Sequence, residues 1–294
     1  MVALAAEQQQ KREKTELVLS NIYNLPVMPK PLEDALGMLD ASAVSIPSLS
    51  SVISKDQGLV TKILMIANSP LYGLQRKVTS IDFAIMVLGF NELKNIILVL
   101  SLVESFKNKT DRYLDQKEFW LHSYLTGCAA KRIAEDLDFP NEGEAFVAGF
   151  LHDMGISVIH KYFHSKFIEI YESVTEKNIN FNEAEFEALG MNHQKIGSYL
   201  VERWSFPDIL CEAILNHHNP EASTLNKALP SIVHLADYMT KKLQIGNSYW
   251  DKDIELNIDE METLRFRSEE EVNHFIQSYE EIFIHQAKSV RYLS

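Results

Sequence analysis

Apolar residues recur at spacings of three and four along nearly the whole chain, as in Leu32-Leu36-Leu39, Leu59-Ile63-Ile66 and Ile81-Ile85-Leu88. That spacing puts them on one face of a 3.6-residue helix, and no alternating run with hairpin turns competes with it. The fold class expected is all-α. Helix punctuation agrees: Pro47 suits the first position of a helix opening PSLSSVISKD, and Gly89 follows SIDFAIMVL where a terminating glycine is expected. Asn182 with Glu185, and Ser268 with Glu271, have the spacing of capping pairs.

Short helices punctuated by proline and glycine occupy residues 22–108, and KNKTDRYLDQ (Lys107 to Gln116) reads as a polar joint. Longer helices fill residues 115–245. We expect residues 22–245 to form one domain of these two parts, and 246–294 a helical extension ending in one acidic amphipathic helix, Ser268 to Leu293. That helix carries Val272, Phe275, Ile276 and Ile282 as its apolar face. The N-terminal helices should pack on the second part through Ile63, Ile66, Leu88 and Ile97.

Composition removes several function classes. Two cysteines, Cys128 and Cys211, make no disulfide framework and suit a reducing compartment. The N-terminus lacks a signal-peptide pattern, and the run Asn95 to Phe106 is too interrupted to span a bilayer. A cytoplasmic location without a membrane is expected. With 41 acidic and 28 basic residues the net charge is −13, and no basic stripe appears. The densest cations, Lys11, Arg12 and Lys14, sit near the chain end, where fraying is expected. Nucleic-acid binding is therefore not expected, because it needs local positive charge to displace counterions.

The chemistry gathers in the second part. His122 lies in FWLHSYL, His152 and Asp153 close AFVAGFL, and His193 lies in MNHQKIG. His217 and His218 end AILNHH, and Asp237 is flanked by apolar residues in SIVHLADYM. A histidine–aspartate pair alone is commonplace at a helix end, and one buried histidine needs only a carbonyl to bond. Five histidines and two aspartates on successive core-facing helices are another matter, because buried polar groups are costly without partners. Imidazole and carboxylate are ligands of zinc, iron, manganese and similar divalent ions. The remaining histidines, His160, His164, His234, His274 and His285, read as surface or ordinary core residues. The aromatic and methionine content of FNEAEFEALGM reads as core packing.

The order H…HD…H…HH…D resembles the HD superfamily of metal-dependent phosphohydrolases, and above all its two-metal branch. The first part resembles the HDOD domain, a bacterial signalling relative of those enzymes. The matching residues are Leu25-Pro26 with Pro29, the Asp56 stretch, Asn68-Ser69 with Tyr72, and Ala84-Ile85 with Leu88-Gly89. They continue through WLHS, GFLHDMG, HQKIGSYLVERWSFP and AILNHH, covering Ile22 to Tyr238. The resemblance implies an HD-like helical bundle with an N-terminal helical subdomain. It also implies a centre of one or two divalent ions from the iron, manganese, zinc and nickel group. His122, His152, Asp153 and Asp237 would hold one, and His193, His217 and His218 the other, sharing Asp153. Two departures stand out. Ile156 occupies the position where two-metal cyclic-di-GMP phosphodiesterases carry a lysine, and NHHNPEAS lacks their Gly-Tyr-Pro segment. Lys161, farther along the same helix, should face elsewhere.

Three readings follow: a regulatory protein acting on signalling partners, a phosphohydrolase acting on a nucleotide or cyclic dinucleotide with Asp153 as the catalytic residue, and a scaffold cross-linked by metal. The expectation is metal binding without appreciable cyclic-di-GMP hydrolysis.

Overall fold

The computed structural model describes residues 2–22, 30–39, 44–140, 142–177, 179–245, 248–252, 254–256 and 258–290. Leu25, Pro26, Pro29 and Leu293 lie outside them. The described elements are helices, and no strand occurs among the described residues. In chain order they are α1 (Val2–Ser20), α2 (Lys30–Leu39), α3 (Ile46–Ile53), α4 (Gln57–Ala67) and α5 (Ile81–Phe106). Then come α6 (Gln116–Asp136), α7 (Glu142–Leu151), α8 (Met154–Tyr162), α9 (His164–Lys177), α10 (Phe181–Leu189) and α11 (His193–Arg203). The last are α12 (Asp208–Leu215), α13 (Ala228–Lys242), α14 (Ile258–Met261), α15 (Glu269–Ser278) and α16 (Glu280–Val290).

Local chemistry sets many of these ends. Ser45 caps α3 by accepting from the Ser48 N–H, so the helix opens at Ile46 and Pro47 sits one position inside the expected start. Asp56, Ser80 and Asp115 cap α4, α5 and α6 in the same way. Gly89 has φ 80° and interrupts α5, but the chain resumes its helix at once, so the glycine makes a kink where an end was expected. By length and apolar composition α5 passes for a membrane span. Here it is a core helix: Leu93, Ile96, Ile97, Leu100 and Phe106 are buried, and so is Glu92.

The centre of the bundle is α7, which packs against α5, α6, α12 and α13. Leu151 of α7 is fully buried, as are Leu125 and Ile133 of α6, Ile214 of α12 and Val233 of α13, and Trp120 stacks on Phe150 with centroids 5.7 Å apart. Buried apolar residues from both parts of the chain belong to one cluster. Ile63, Ile66 and Ile97 are buried in it and Leu88 is half-buried against it.

Four expectations need correction. The last stretch is two helices, broken at Tyr279, so Phe283 takes the buried position and Ile282 is exposed, while Val272 and Ile276 remain buried. The cap of α10 is Asn180, which accepts from the Asn182 N–H, leaving Glu185 free for another role. Within that helix Phe181 is buried and Phe186 is exposed. At the chain start, Lys11, Arg12 and Lys14 belong to the 19-residue helix α1, which lies on α10. Lys11 Nζ donates to the Glu187 carbonyl at 2.9 Å, and Thr15 Oγ1 to that of Leu189 at 2.8 Å.

Candidate metal centre

Helix ends deliver the inner histidines. α7 stops at Leu151 and α12 at Leu215, so the carbonyls of their last turns lack helical partners. The histidines just beyond take them: His152 Nδ1 donates to Gly149 O, and His217 Nδ1 to Ile214 O, each at 2.7 Å. His193 opens α11, and both its backbone N–H and its Nδ1 donate to Glu185 Oε2 at 2.8 Å. A ring that donates from Nδ1 keeps its lone pair on Nε2, the tautomer of a metal ligand with an outer-shell acceptor.

Asp153 stands at the N-cap position of α8, yet its carboxylate caps nothing. It is turned toward the histidines. Oδ2 lies 3.1 Å from His152 Nε2 and 3.5 Å from His122 Nε2; Oδ1 lies 3.5 Å from His193 Nε2 and 3.7 Å from His217 Nε2. Asp237, from α13, brings Oδ1 to 3.2 Å from His122 Nε2 and 3.8 Å from His152 Nε2. His218 Nε2 faces His193 Nε2 at 3.2 Å. All seven residues singled out in the sequence thus converge on one place, six fully buried and His218 partly exposed.

Gly155 makes the close approach possible. A Cβ there would stand 2.1 Å from the His193 carbonyl oxygen, so any side chain would part α8 from α11. Two participants carried no signal in the sequence. Asp251 places Oδ1 3.0 Å from His218 Nε2, and Trp250 Nε1 donates to Asp153 Oδ2 at 2.5 Å. Glu185 was visible only as a cap; its reach to His193 depends on the turn at Gly190.

The fit to a metal rests on atoms that converge without bonding. His122 Nε2, His152 Nε2, His217 Nε2, Asp153 Oδ1 and both oxygens of Asp237 and of Asp251 are buried with no hydrogen-bond partner. Buried polar groups that face one another unpaired on this scale could be satisfied by a cation held among them. Two ligands ~2.0–2.1 Å from a tetrahedral zinc-like ion lie roughly 3.3–3.4 Å apart, and most of the distances above cluster near that edge. Asp153, His193, His217 and His218 offer ligand atoms within 4.8 Å of one another, as do His122, His152, Asp153 and Asp251. Asp153 belongs to both groups and Asp237 adjoins the second.

Electrostatics carries the same crowding. Burial opposes charge on His152, but the Asp153 and Asp237 carboxylates together push the ring up to about 10. Burial also opposes charge on His122 and His193, and their carboxylate neighbours raise both. Burial and the charge of His193 take His218 down to about 3, and burial with His218 and His152 depresses His217. Against the cost of burial, the surrounding histidines hold Asp153 and Asp237 well below the carboxylate range. Asp251, buried beside both, is driven upward.

Ile156, which stands where the related phosphodiesterases carry a lysine, is fully buried. Lys161 points away, its Nζ donating to Ser105 O at 3.1 Å. Of the other histidines, His160 and His234 are buried. His160 Nε2 lies 3.0 Å from Asp111 Oδ2, with the half-exposed His164 at 3.5 Å, and pins the joint between the two parts.

The sequence pattern of the HDOD domain matches residues 25–220, more than half of the chain. An uncharacterised Treponema pallidum protein is 25% identical over 234 residues, which are 79% of this chain and 45% of that protein, so the chain spans less than half of that relative's length. The crystal structure of an HDOD domain protein with unknown function from Geobacter sulfurreducens is 27% identical, with a TM-score of 0.77 over 97% of this chain and 99% of that one. A Shewanella amazonensis protein provisionally named a phosphohydrolase shares the fold at 21% identity, with a TM-score of 0.71 over 93% and 98% of the two chains. A Marinobacter aquaeolei protein provisionally named in signal transduction shares it at 20%, with a TM-score of 0.70 over 96% and 66%. From the motifs, the helical architecture and the matched residues together, the chain belongs to the HDOD domain family.

Proposed function

We propose that this HDOD protein is a metal-binding regulatory protein that conveys its state to signalling partners. Its centre would hold one or two divalent ions through His122, His152, Asp153, His193, His217, His218 and Asp237. The observation that carries the metal is the set of buried nitrogen and oxygen atoms around Asp153 that face one another without hydrogen bonds. The observation that favours regulation over turnover is Ile156, a buried apolar side chain where binding a phosphodiester calls for a cation. Positioning supplies much of an enzyme's rate, and an apolar group cannot offset phosphate charge.

A second reading, hydrolysis of a nucleotide or cyclic dinucleotide, draws on the completeness of the ligand set. A bound ion of this class polarises phosphoryl oxygen and lowers the pKa of bound water. Elemental analysis of the purified protein together with a cyclic-di-GMP phosphodiesterase assay separates the readings. Metal without turnover is expected. Robust turnover by the wild type that disappears in Asp153→Ala establishes the hydrolase, and a metal-free wild type that stays metal-free on loading sinks both.

A further inference from the structure

The turn that follows α13 enters the centre from outside the stretch matched to the family. Residues 25–220 carry that match, whereas Tyr249–Asp251 form a short 3-10 turn some thirty residues beyond it. Trp250 and Asp251 are both buried. The turn is held from two sides. Lys241 Nζ, on the helix that carries Asp237, donates to the carbonyls of Lys252 and Ile254, the latter at 2.8 Å. Tyr249 Oη donates to the Tyr113 carbonyl in the joint. Trp250 packs edge-on to His122 with centroids 5.9 Å apart and lies 5.6 Å from Phe119.

What the turn delivers is specific. Its indole N–H bonds the Asp153 carboxylate at 2.5 Å, the one carboxylate common to both ligand groups. Its aspartate lies 3.0 Å from His218 Nε2, and it shares a ligand group with His122, His152 and Asp153. Both Asp251 oxygens are buried without a hydrogen-bond donor, although a buried carboxylate demands either donors or a cation. Structural metal sites are closed by protein ligands, while catalytic sites keep a position for water or substrate.

We propose that Asp251 is a further metal ligand, supplied by the C-terminal extension, that occupies the coordination position a hydrolytic centre leaves open. Trp250 is a positioning residue that locks the shared carboxylate. The ligand class that competes for this position is a phosphate-type oxyanion, which offers the same hard anionic oxygen as the aspartate. This inference rests on the metal reading above and adds that the centre is closed by its own chain.

The test loads wild type, Asp251→Ala and Asp251→Asn with manganese and titrates each with inorganic phosphate by calorimetry, metal content being measured alongside. If Asp251 holds the position more than about nine-tenths of the time, removing it tightens phosphate binding about tenfold or more. Asp251→Asn, nearly isosteric, reads the same effect should the alanine variant fold poorly. Trp250→Phe keeps the ring packing and loses the indole bond; a smaller gain in phosphate affinity is expected. Variants that retain the wild-type metal content and bind phosphate no more tightly overturn the inference alone. Tight phosphate binding by the wild type also overturns it, since the position would then be open. A wild type that takes up no metal overturns the underlying metal reading instead, and shows this before any variant is examined.

Discussion

Gly155 and Glu185 show how narrowly single residues place the histidines. A methyl group on Gly155 would overlap the His193 carbonyl, at 2.1 Å, and the obstacle is backbone, so it cannot rotate aside. Gly155→Ala should therefore cost about 1–3 kcal/mol through overpacking. It should also displace His193, read as a lower urea midpoint and weakened metal uptake in one protein; a variant as stable and as metal-loaded as the wild type contradicts the packing account. Glu185 acts more gently. Its Oε2 accepts two N–H groups of His193 and fixes the ring's tautomer. Outer-shell partners of this kind are worth roughly 10–100-fold in metal affinity, and Glu185→Gln should lose that much in a competitive chelator titration. Unchanged affinity would remove Glu185 from the centre.

Between elements, two polar clusters centre on a glutamate: one holds a helix to the loop that follows it, and the other joins helices far apart in sequence. Glu212 on α12 accepts from Ser223 Oγ, from the Thr224 N–H and Oγ1, and from the Leu225 N–H, all at 2.7–2.9 Å. These bonds anchor the loop that leads from the double histidine to α13. Burial alone would raise this carboxyl, but the four donors lower it from 4.5 to about 2. A folded pKa below the unfolded one means that the contribution is complete above about pH 4.5 and is lost as pH falls toward 2. The wild type should thus lose urea resistance faster than Glu212→Gln across that window, and parallel curves would refute the assignment. The second cluster joins the N-terminal helices to α6: Tyr72 Oη donates to Glu92 Oε1 at 2.6 Å, and Lys131 Nζ to Glu92 Oε2 at 2.7 Å. Tyr72→Phe removes a hydrogen bond to a charged acceptor and should cost about 1.5–3 kcal/mol in equilibrium unfolding.

At the scale of the molecule, the joint at 107–116 is tied down at several points. Leu114 is buried, Asp111 accepts from the Tyr113 and Leu114 N–H groups, and His160 holds Asp111 from α8. Limited proteolysis should leave the joint intact, because linkers are cut where few contacts cross them; rapid release of two stable halves would contradict it. Removal of the proposed metal should be felt globally as well, since the residues proposed to hold it come from α6, α11 and α13 and from the ends of α7 and α12. An ion present at about 1,000 times its dissociation constant adds roughly 4 kcal/mol, so chelation should lower the melting temperature by several degrees. An identical transition with and without chelator would exclude a stabilising ion.

Helix periodicity and the order of histidines and aspartates were legible without coordinates, because both are properties of neighbouring residues. A 3.6-residue repeat needs only a few turns of chain, and FLHD and NHH announce helix ends that carry imidazoles. What periodicity could not supply is the path after each end. Glu185 looked like a cap partner because its spacing from Asn182 is local, while its bond to His193 depends on the turn between α10 and α11. Asp251 and Trp250 lie in a stretch with no apolar rhythm, and Trp250 meets Asp153 from 97 positions farther along the chain. The break at Tyr279 likewise turns on which residues find buried space, Phe283 rather than Ile282. Sequence alone determined which side chains were available for a metal; the packing of α7 among its neighbours decided which of them meet, because convergence is set by where helices stop and cross.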